Sequence, residues 1–263
     1  MIVALVFIII ATAVVIRHIF FWEPVDTKNI FGLSPLFIAH RGTPFNIPEN
    51  TLESLKNAIN IGFEAIEVDV CSTKDKVVVC SHNIDLERET NGQGFLDEIN
   101  YEKARLVKTG IYSHPNKTSE IPTLYNVVKK LPPNVLVNIE IKPANLWNIG
   151  TAVRVAKMIK SKKITQKIII STFNPAALWA VKLFAPKIIT GYLFTTTKHL
   201  WAINLFHPDC LHPEGGIVTR ALVNQAHKRG QAVNVWTVDS RPGKRWLKKL
   251  NVDGIITNYY LPS

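Results

Sequence analysis

Two histidines, three carboxylates and two cations recur at short, regular spacings in this 263-residue chain. His40 and Arg41 are adjacent, Glu67 and Asp69 are two apart, His82 follows, and Glu140 and Lys142 are again two apart. Residues i and i+2 of a strand share a face, so each spaced pair points one way. Three carboxylates on one buried face are prohibitive unless a cation compensates them. Oxygen-only ligands select a hard ion, Mg²⁺ or Ca²⁺, over zinc, which prefers His and Cys. Two imidazoles beside such an ion supply a general base and a general acid. Arg41, as a bidentate fork, and Lys142, as a point charge, match phosphoryl oxygens. The combination implies phosphodiester cleavage, with charge on the phosphoryl oxygens stabilised by metal and cations. Singly, each element has an ordinary structural reading: a hydrogen-bonded strand-end histidine, an exposed Glu-x-Asp face, a same-face ion pair. Ile66, Val68 and Val70 around Glu67 and Asp69 instead mark a buried sheet, and the joint occurrence argues for a site.

The elements that must position these residues are legible as alternating patterns. Apolar runs of strand length lie at Leu36–Ala39, Ala65–Val70, Val77–Cys80, Val135–Ile141, Lys167–Ser171, Ile188–Phe194, Cys210–His212, Ala232–Val238 and Gly254–Thr257. Helix-patterned stretches separate most of them. Asn50 with Glu53 reads as a capping box, Asn174-Pro175 as an N-cap with proline at the first helical position, and Gly230 as a stop for a helix starting near Thr219. Such alternation implies an α/β fold with a parallel sheet closed into an irregular TIM (β/α)₈ barrel over 36–263, whose catalytic residues gather at the strand C-termini. Two irregularities stand out. Ser72–Lys76 is too short for a crossover helix, so a helix is missing or a hairpin intervenes. There are also nine strand candidates for eight places.

Hydrophobic residues make up 47% of the chain, enough for a core and too many for general disorder. Three cysteines exclude a disulfide framework; Cys71 and Cys80 are read as ordinary strand thiols, with pairing as the alternative. The net charge of +11 comes without a nucleic-acid motif, so a phosphate-rich membrane surface is the expected polyanion and nucleic acid is not. Ile2–Ile16 is apolar apart from Thr12; extended to Trp22 it would reach about 31 Å as a helix. Residues 1–22 are therefore expected to form a transmembrane anchor, or a cleaved signal segment, joined by a linker over 23–35. Arg17 and Lys28 follow the span and no cation precedes it, which favours a membrane location with the barrel cytoplasmic.

Several blocks resemble the glycerophosphodiester phosphodiesterase family, part of the superfamily of phospholipase C-like phosphodiesterases. They are His40-Arg41-Gly42, Pro48-Glu49-Asn50-Thr51, Glu67-Val68-Asp69-Val70, Leu86-Glu87-Arg88 with Thr90-Asn91-Gly92, and Ile121-Pro122-Thr123-Leu124. Glu140-Ile141-Lys142-Pro143, Ser171-Thr172-Phe173, Val235-Trp236-Thr237-Val238 and Gly254-Ile255-Ile256-Thr257-Asn258 continue in order. The resemblance implies metal ligation by Glu67, Asp69 and Glu140, acid–base roles for His40 and His82, phosphate binding by Arg41 and Lys142, and a small insertion over about 84–119. Phe173 and Trp236 are pocket candidates, with core packing as the alternative. Implied is a two-step reaction. His40 activates a glycerol hydroxyl that attacks phosphorus, His82 protonates the leaving alcohol, and water opens the cyclic phosphate.

The expected substrates are glycerophosphodiesters giving glycerol 3-phosphate, or lysophospholipids in a lysophospholipase D-type reaction. Leu146, Trp147, Leu200, Trp201, Leu205 and Phe206 would either meet an acyl chain or pack on the barrel wall. A reading of another class is a membrane-tethered receptor for phosphate headgroups that does not turn over. One departure is Asn83, where the family usually has Asp after the histidine; Asp85, two residues on, is a candidate substitute.

Overall fold

In the computed structural model, residues 2–32, 35–142, 145 and 147–260 are described; Leu146 of the expected rim contacts and Pro143 of the quoted motif lie outside them. The chain opens with α1 (Ile2–Phe20). Among the described residues no helix is long and apolar enough to cross a membrane, which corrects the expectation of a spanning anchor. The physical reason is Arg17-His18, which ends the apolar run at Ile16. Fifteen residues rise only about 22 Å against a hydrocarbon core of about 30 Å. The helix end is also tied to the rest of the chain. His18 Nε2 lies 3.0 Å from Leu205 O, His207 Nε2 lies 2.9 Å from His18 O, and Trp22 stacks on His207 at 4.7 Å between centroids. Leu5, Phe7, Ile8, Ile9 and Ile10 remain exposed.

Then follow β1 (Leu36–Ala39), α2 (Leu52–Asn60), β2 (Ala65–Ser72) and β3 (Val78–Cys80). A region of short elements comes next: α3 (Tyr101–Ala104), β4 (Lys108–Thr109) and β5 (Ser119–Glu120). Regular alternation resumes with α4 (Leu124–Lys130), β6 (Leu136–Ile141), α5 (Gly150–Lys160), β7 (Lys167–Thr172) and α6 (Pro175–Phe184). It ends with β8 (Ile189–Phe194), α7 (Ile203–Phe206), β9 (Cys210–Pro213), α8 (Arg220–Lys228), β10 (Ala232–Val235), α9 (Arg241–Leu250) and β11 (Gly254–Thr257).

Eight parallel strands form a closed barrel in the order β1-β11-β10-β9-β8-β7-β6-β2, with β2 pairing back onto β1. The surplus strand is β3, which runs antiparallel to β2, Val70 opposite Cys80. The short Ser72–Lys76 link is thus a hairpin turn, with Lys76 left-handed (φ 71°). Cys71 and Cys80 are free and buried.

Side-chain caps open α2, α4, α6, α8 and α9, whereas α3, α5 and α7 begin without one. Asn174 caps α6, its side chain accepting from Ala176 N and Ala177 N ahead of Pro175, and Thr219 caps α8. The cap of α2, however, is Thr51, whose hydroxyl accepts from Ser54 N at 3.2 Å. The expected cap, Asn50, sits one residue earlier in the left-handed region (φ 56°) and serves the site instead.

The barrel interior is layered with a period of two. Ile38, Ala65, Leu136, Ile169, Ile189, Cys210, Ala232 and Ile256, one from each strand, form a single buried apolar cluster. Two residues further along each strand come His40, Glu67, Asn138, Ser171, Gly191, His212, Asn234 and Asn258, all polar except the glycine. Two further again stand Asp69, Glu140, Phe173 and Trp236. An apolar plug therefore underlies a polar tier, and the chemistry sits above it at the C-terminal mouth.

Candidate active site

At the end of β1 the backbone turns sharply. Arg41 (φ 53°) and Gly42 (φ 82°) are both left-handed, which directs Arg41 N toward Glu67 Oε2 at 2.8 Å. Only glycine fits the second position, because a Cβ there would come within 2.3 Å of Ser54 Oγ and 2.6 Å of the Ser54 carbonyl carbon. Strain of this kind persists where surrounding contacts enforce it.

Glu67, Asp69 and Glu140 are buried, each with a potential ligand oxygen within 4.8 Å of the others. They lie side by side because β2 and β6 pair in register, Glu67 opposite Asn138 and Asp69 opposite Glu140. Both expected cations join them. Arg41 Nε lies 3.0 Å from Asp69 Oδ2 and Arg41 Nη1 lies 2.7 Å from Glu49 Oε1. Lys142 Nζ lies 3.0 Å from Asp69 Oδ1 and donates to Glu140 Oε1. Asn50 completes the cradle, exchanging two 2.9 Å hydrogen bonds with Asp69.

Electrostatics separates the three acids. Burial pushes Asp69 up, but Lys142, then Arg41, His82 and the Asn50 hydrogen bond outweigh it and hold the carboxyl down at about 2. Burial and the neighbouring Asp69 push Glu140 up to about 7, and burial with Asp69 and Glu140 raises Glu67 well above the usual range. Arg41 and Lys142 thus face Glu49 as well as the three clustered acids, so Glu67, Asp69 and Glu140 cannot all ionise without a further positive charge. Glu67 Oε1 is moreover buried with no hydrogen-bond partner among the described residues. A hard divalent cation fits both observations: it would supply the missing positive charge and a partner for Glu67 Oε1 from an all-oxygen set. Glu67, Asp69 and Glu140 are the residues that would hold it.

The histidines meet different surroundings. Burial, with Arg41 next, lowers His40 to about 4, and its Nδ1 lies 2.9 Å from Asn258 Oδ1. Burial also lowers His82 to about 4, against the opposing pull of Asp69. Asp85, the candidate substitute for the missing Asp, instead pairs with Arg88 at 3.1 Å. Near His82 are Glu49 and Glu89, whose ligand atoms lie within 4.8 Å of each other and of an imidazole nitrogen. Asn83 Nδ2 donates to Glu89 Oε1 at 3.1 Å.

Phe173 and Trp236, the pocket candidates, meet edge to face at 5.5 Å between centroids, and Trp236 Nε1 donates to His212 O at 2.7 Å. Of the apolar rim candidates, Phe206 is buried against Tyr192 at 4.9 Å, whereas Trp147 and Trp201 are exposed. Sequence reasoning placed none of Asn50, Glu89, Asp239 or Asn258 in the site, and read Asn50 only as a helix cap. Asn258 directly follows β11, so the strand-end rule that found His40 could have found it.

Residues 40–261 match the model of the glycerophosphoryl diester phosphodiesterase family. A glycerophosphodiester phosphodiesterase of Caldanaerobacter subterraneus subsp. tengcongensis is 35% identical over 230 residues, covering 86% of this chain and 95% of the relative. A glycerophosphodiester phosphodiesterase of Bacillus altitudinis is 29% identical, covering 84% and 93%. Among solved structures, an Oleispira antarctica phosphodiesterase in complex with the product sn-glycerol-3-phosphate superposes with a TM-score of 0.80 at 24% identity, over 86% of this chain and 94% of that one.

Proposed function

This chain belongs to the glycerophosphoryl diester phosphodiesterase family, and on that premise we propose that it hydrolyses glycerophosphodiesters to glycerol 3-phosphate and an alcohol in a cation-dependent reaction. One observation carries the reading: Asp69 touches both Arg41 and Lys142 while sharing a 4.8 Å cluster with Glu67 and Glu140. That is a mouth charged to receive a phosphodiester anion and a hard cation together.

The protein groups divide the work. Arg41 and Lys142 hold the non-bridging phosphoryl oxygens. His40, neutral at pH 7 because burial depresses it, accepts the proton of the glycerol hydroxyl as that oxygen attacks phosphorus. His82 must enter protonated. The negative charge of the bound phosphodiester, added to Asp69, raises its affinity for the proton it then gives to the departing alkoxide. In the second half the roles reverse: the now neutral His82 activates water, and His40 returns its proton to the glycerol oxygen. A bound Mg²⁺ or Ca²⁺ supplies Lewis-acid stabilisation of the charge developing on the phosphoryl oxygens.

A lysophospholipase D-type reaction on lysophospholipids is the second reading, supported by the exposed Trp147 and Trp201. We also place the enzyme at a membrane surface, on the strength of the exposed apolar residues of α1. The deciding assay follows glycerol 3-phosphate from a soluble glycerophosphodiester and lysophosphatidate from a lysophospholipid, each with Mg²⁺, Ca²⁺ or EDTA. Cation-dependent release is expected. Absence of both products with both metals supplied would leave the receptor reading in its place.

A further inference from the structure

His40 is joined to the opposite end of the chain through a directed series of hydrogen bonds. Its Nδ1 lies 2.9 Å from Asn258 Oδ1. Asn258 Nδ2 donates to Asp239 Oδ2 at 2.8 Å, and Asn258 N donates to Asp239 Oδ1 at 2.8 Å. Thr257 Oγ1 donates to the same Oδ1 at 2.9 Å. Asp239 is thus gripped from three donors at the β10 and β11 ends, and nothing in the catalysis described above uses it.

The chemistry of the three groups fixes the sense of the series. An ionised carboxylate only accepts, so Asp239 obliges Asn258 to turn its NH₂ toward it. The amide oxygen must then face His40, where it requires a hydrogen on Nδ1. In a neutral imidazole a protonated Nδ1 leaves Nε2 as the bare, basic nitrogen. Were the amide reversed, its NH₂ would meet Nδ1, the proton would move to Nε2, and the base would become a donor. We propose that Asp239, acting through Asn258, is the positioning residue that holds His40 in the tautomer able to accept the substrate's proton. This rests on His40 serving as the base in the reaction proposed above.

The test uses the full chain and three variants. Asp239→Asn keeps the shape, but its amide oxygen must occupy the place that accepts from Asn258 N and Thr257 Oγ1, so its NH₂ faces Asn258 and opposes the native amide sense; kcat should fall about 10–100-fold while KM changes less than about 3-fold. Asp239→Ala should do the same or more. The exchanged double variant Asp239→Asn/Asn258→Asp places the accept-only group directly on His40, with the amide now at position 239 donating to it. This should restore kcat to within about 3-fold of the parent, because Nδ1 is again the protonated nitrogen. ¹⁵N NMR of the imidazoles at pH 7 reads the tautomer without turnover: His40 Nδ1 protonated in the parent and the exchanged variant, shifted toward Nε2 protonated in Asp239→Asn. An active parent whose Asp239→Asn variant keeps both its kcat and its His40 tautomer overturns the inference. So does an exchanged variant that folds and stays as impaired as Asp239→Asn, since that assigns Asp239 a merely structural role. An inactive parent whose tautomer still shifts in Asp239→Asn defeats the proposed reaction and leaves the positioning intact.

Discussion

Asn50 and Asp69 hold each other reciprocally: Asn50 Nδ2 donates to Asp69 Oδ2, Asp69 N donates to Asn50 Oδ1, and both distances are 2.9 Å. The left-handed backbone at Asn50 (φ 56°) makes this reach possible, and Asn tolerates that conformation better than most residues. Asn50→Ala would leave a buried N–H without a partner and strain the backbone, a combined cost of about 2–4 kcal/mol. A drop in melting temperature of about 5–15 °C is expected, with lost activity because Asp69 is no longer held. Asn50→Asp keeps the shape but sets a second carboxylate against Asp69, so it too should lose activity. A silent Asn50→Ala variant would remove Asn50 from the cradle.

The acids predict an unusual pH response of the cation-free protein. Glu140 is raised from 4.5 to about 7, so between those values the folded chain binds more protons than the unfolded one. Stability is then fully present below about pH 4.5 and declines as pH rises through about 7, by roughly 3 kcal/mol at most from this group. A divalent cation needs the ionised carboxylates, so its stabilisation grows over the same window. Thermal melts should therefore show a larger gain from Mg²⁺ or Ca²⁺ at pH 8 than at pH 5, reversed by EDTA. Equal gains at both pH values would exclude Glu140 from the ligand set.

The parts of this site legible in the sequence are those governed by the two-residue strand period. Glu67 with Asp69, and Glu140 with Lys142, announce their shared face because each pair sits in an apolar strand that must be buried. Asn258 and Asp239 escape the same reading because they are uncharged or loop-borne, and their meaning depends on His40 across 218 positions. Asn50 fits a capping pattern with Glu53, yet the long-range pairing with Asp69 captures it and Thr51 takes the cap. The surplus strand shows a similar limit: β3 has the composition of a barrel strand, and only the short link before it marks it as a hairpin arm. The anchor expectation failed for a simpler reason. Phe20, Phe21 and Trp22 lengthen the apolar count, but Arg17-His18 has already interrupted it.

Helix α1 leaves Leu5, Phe7, Ile8, Ile9 and Ile10 exposed while its far end is docked through His18 and Trp22. A helix apolar on its exposed side partitions to lipid with roughly 25 cal/mol per Å² buried. The chain should co-sediment with phosphatidylcholine vesicles containing about 20% anionic lipid. Replacing Phe7, Ile8, Ile9 and Ile10 together by Ser should release it without changing turnover of a soluble diester. Retention of the quadruple variant on vesicles would shift the membrane contact to the basic surface of the barrel.

The two histidines are distinguishable by leaving group. His40 acts on the attacking hydroxyl, whose acidity is the same whatever alcohol departs, so His40→Ala should lose about 10²–10⁴-fold in kcat on every glycerophosphodiester. His82 protonates the departing oxygen, and the need for that proton vanishes when the leaving group is a stable anion. On an alkyl diester such as a glycerophosphoalcohol, His82→Ala should lose about 10²–10⁴-fold; on the p-nitrophenyl diester of glycerol phosphate it should lose less than about 10-fold. Both variants should keep the cation-induced rise in melting temperature, since neither imidazole belongs to the Glu67, Asp69 and Glu140 set. If instead His40→Ala is rescued by the nitrophenyl substrate and His82→Ala is not, the base and acid assignments exchange. Equal losses for both variants on both substrates would mean that each histidine orients the phosphate and neither carries the proton.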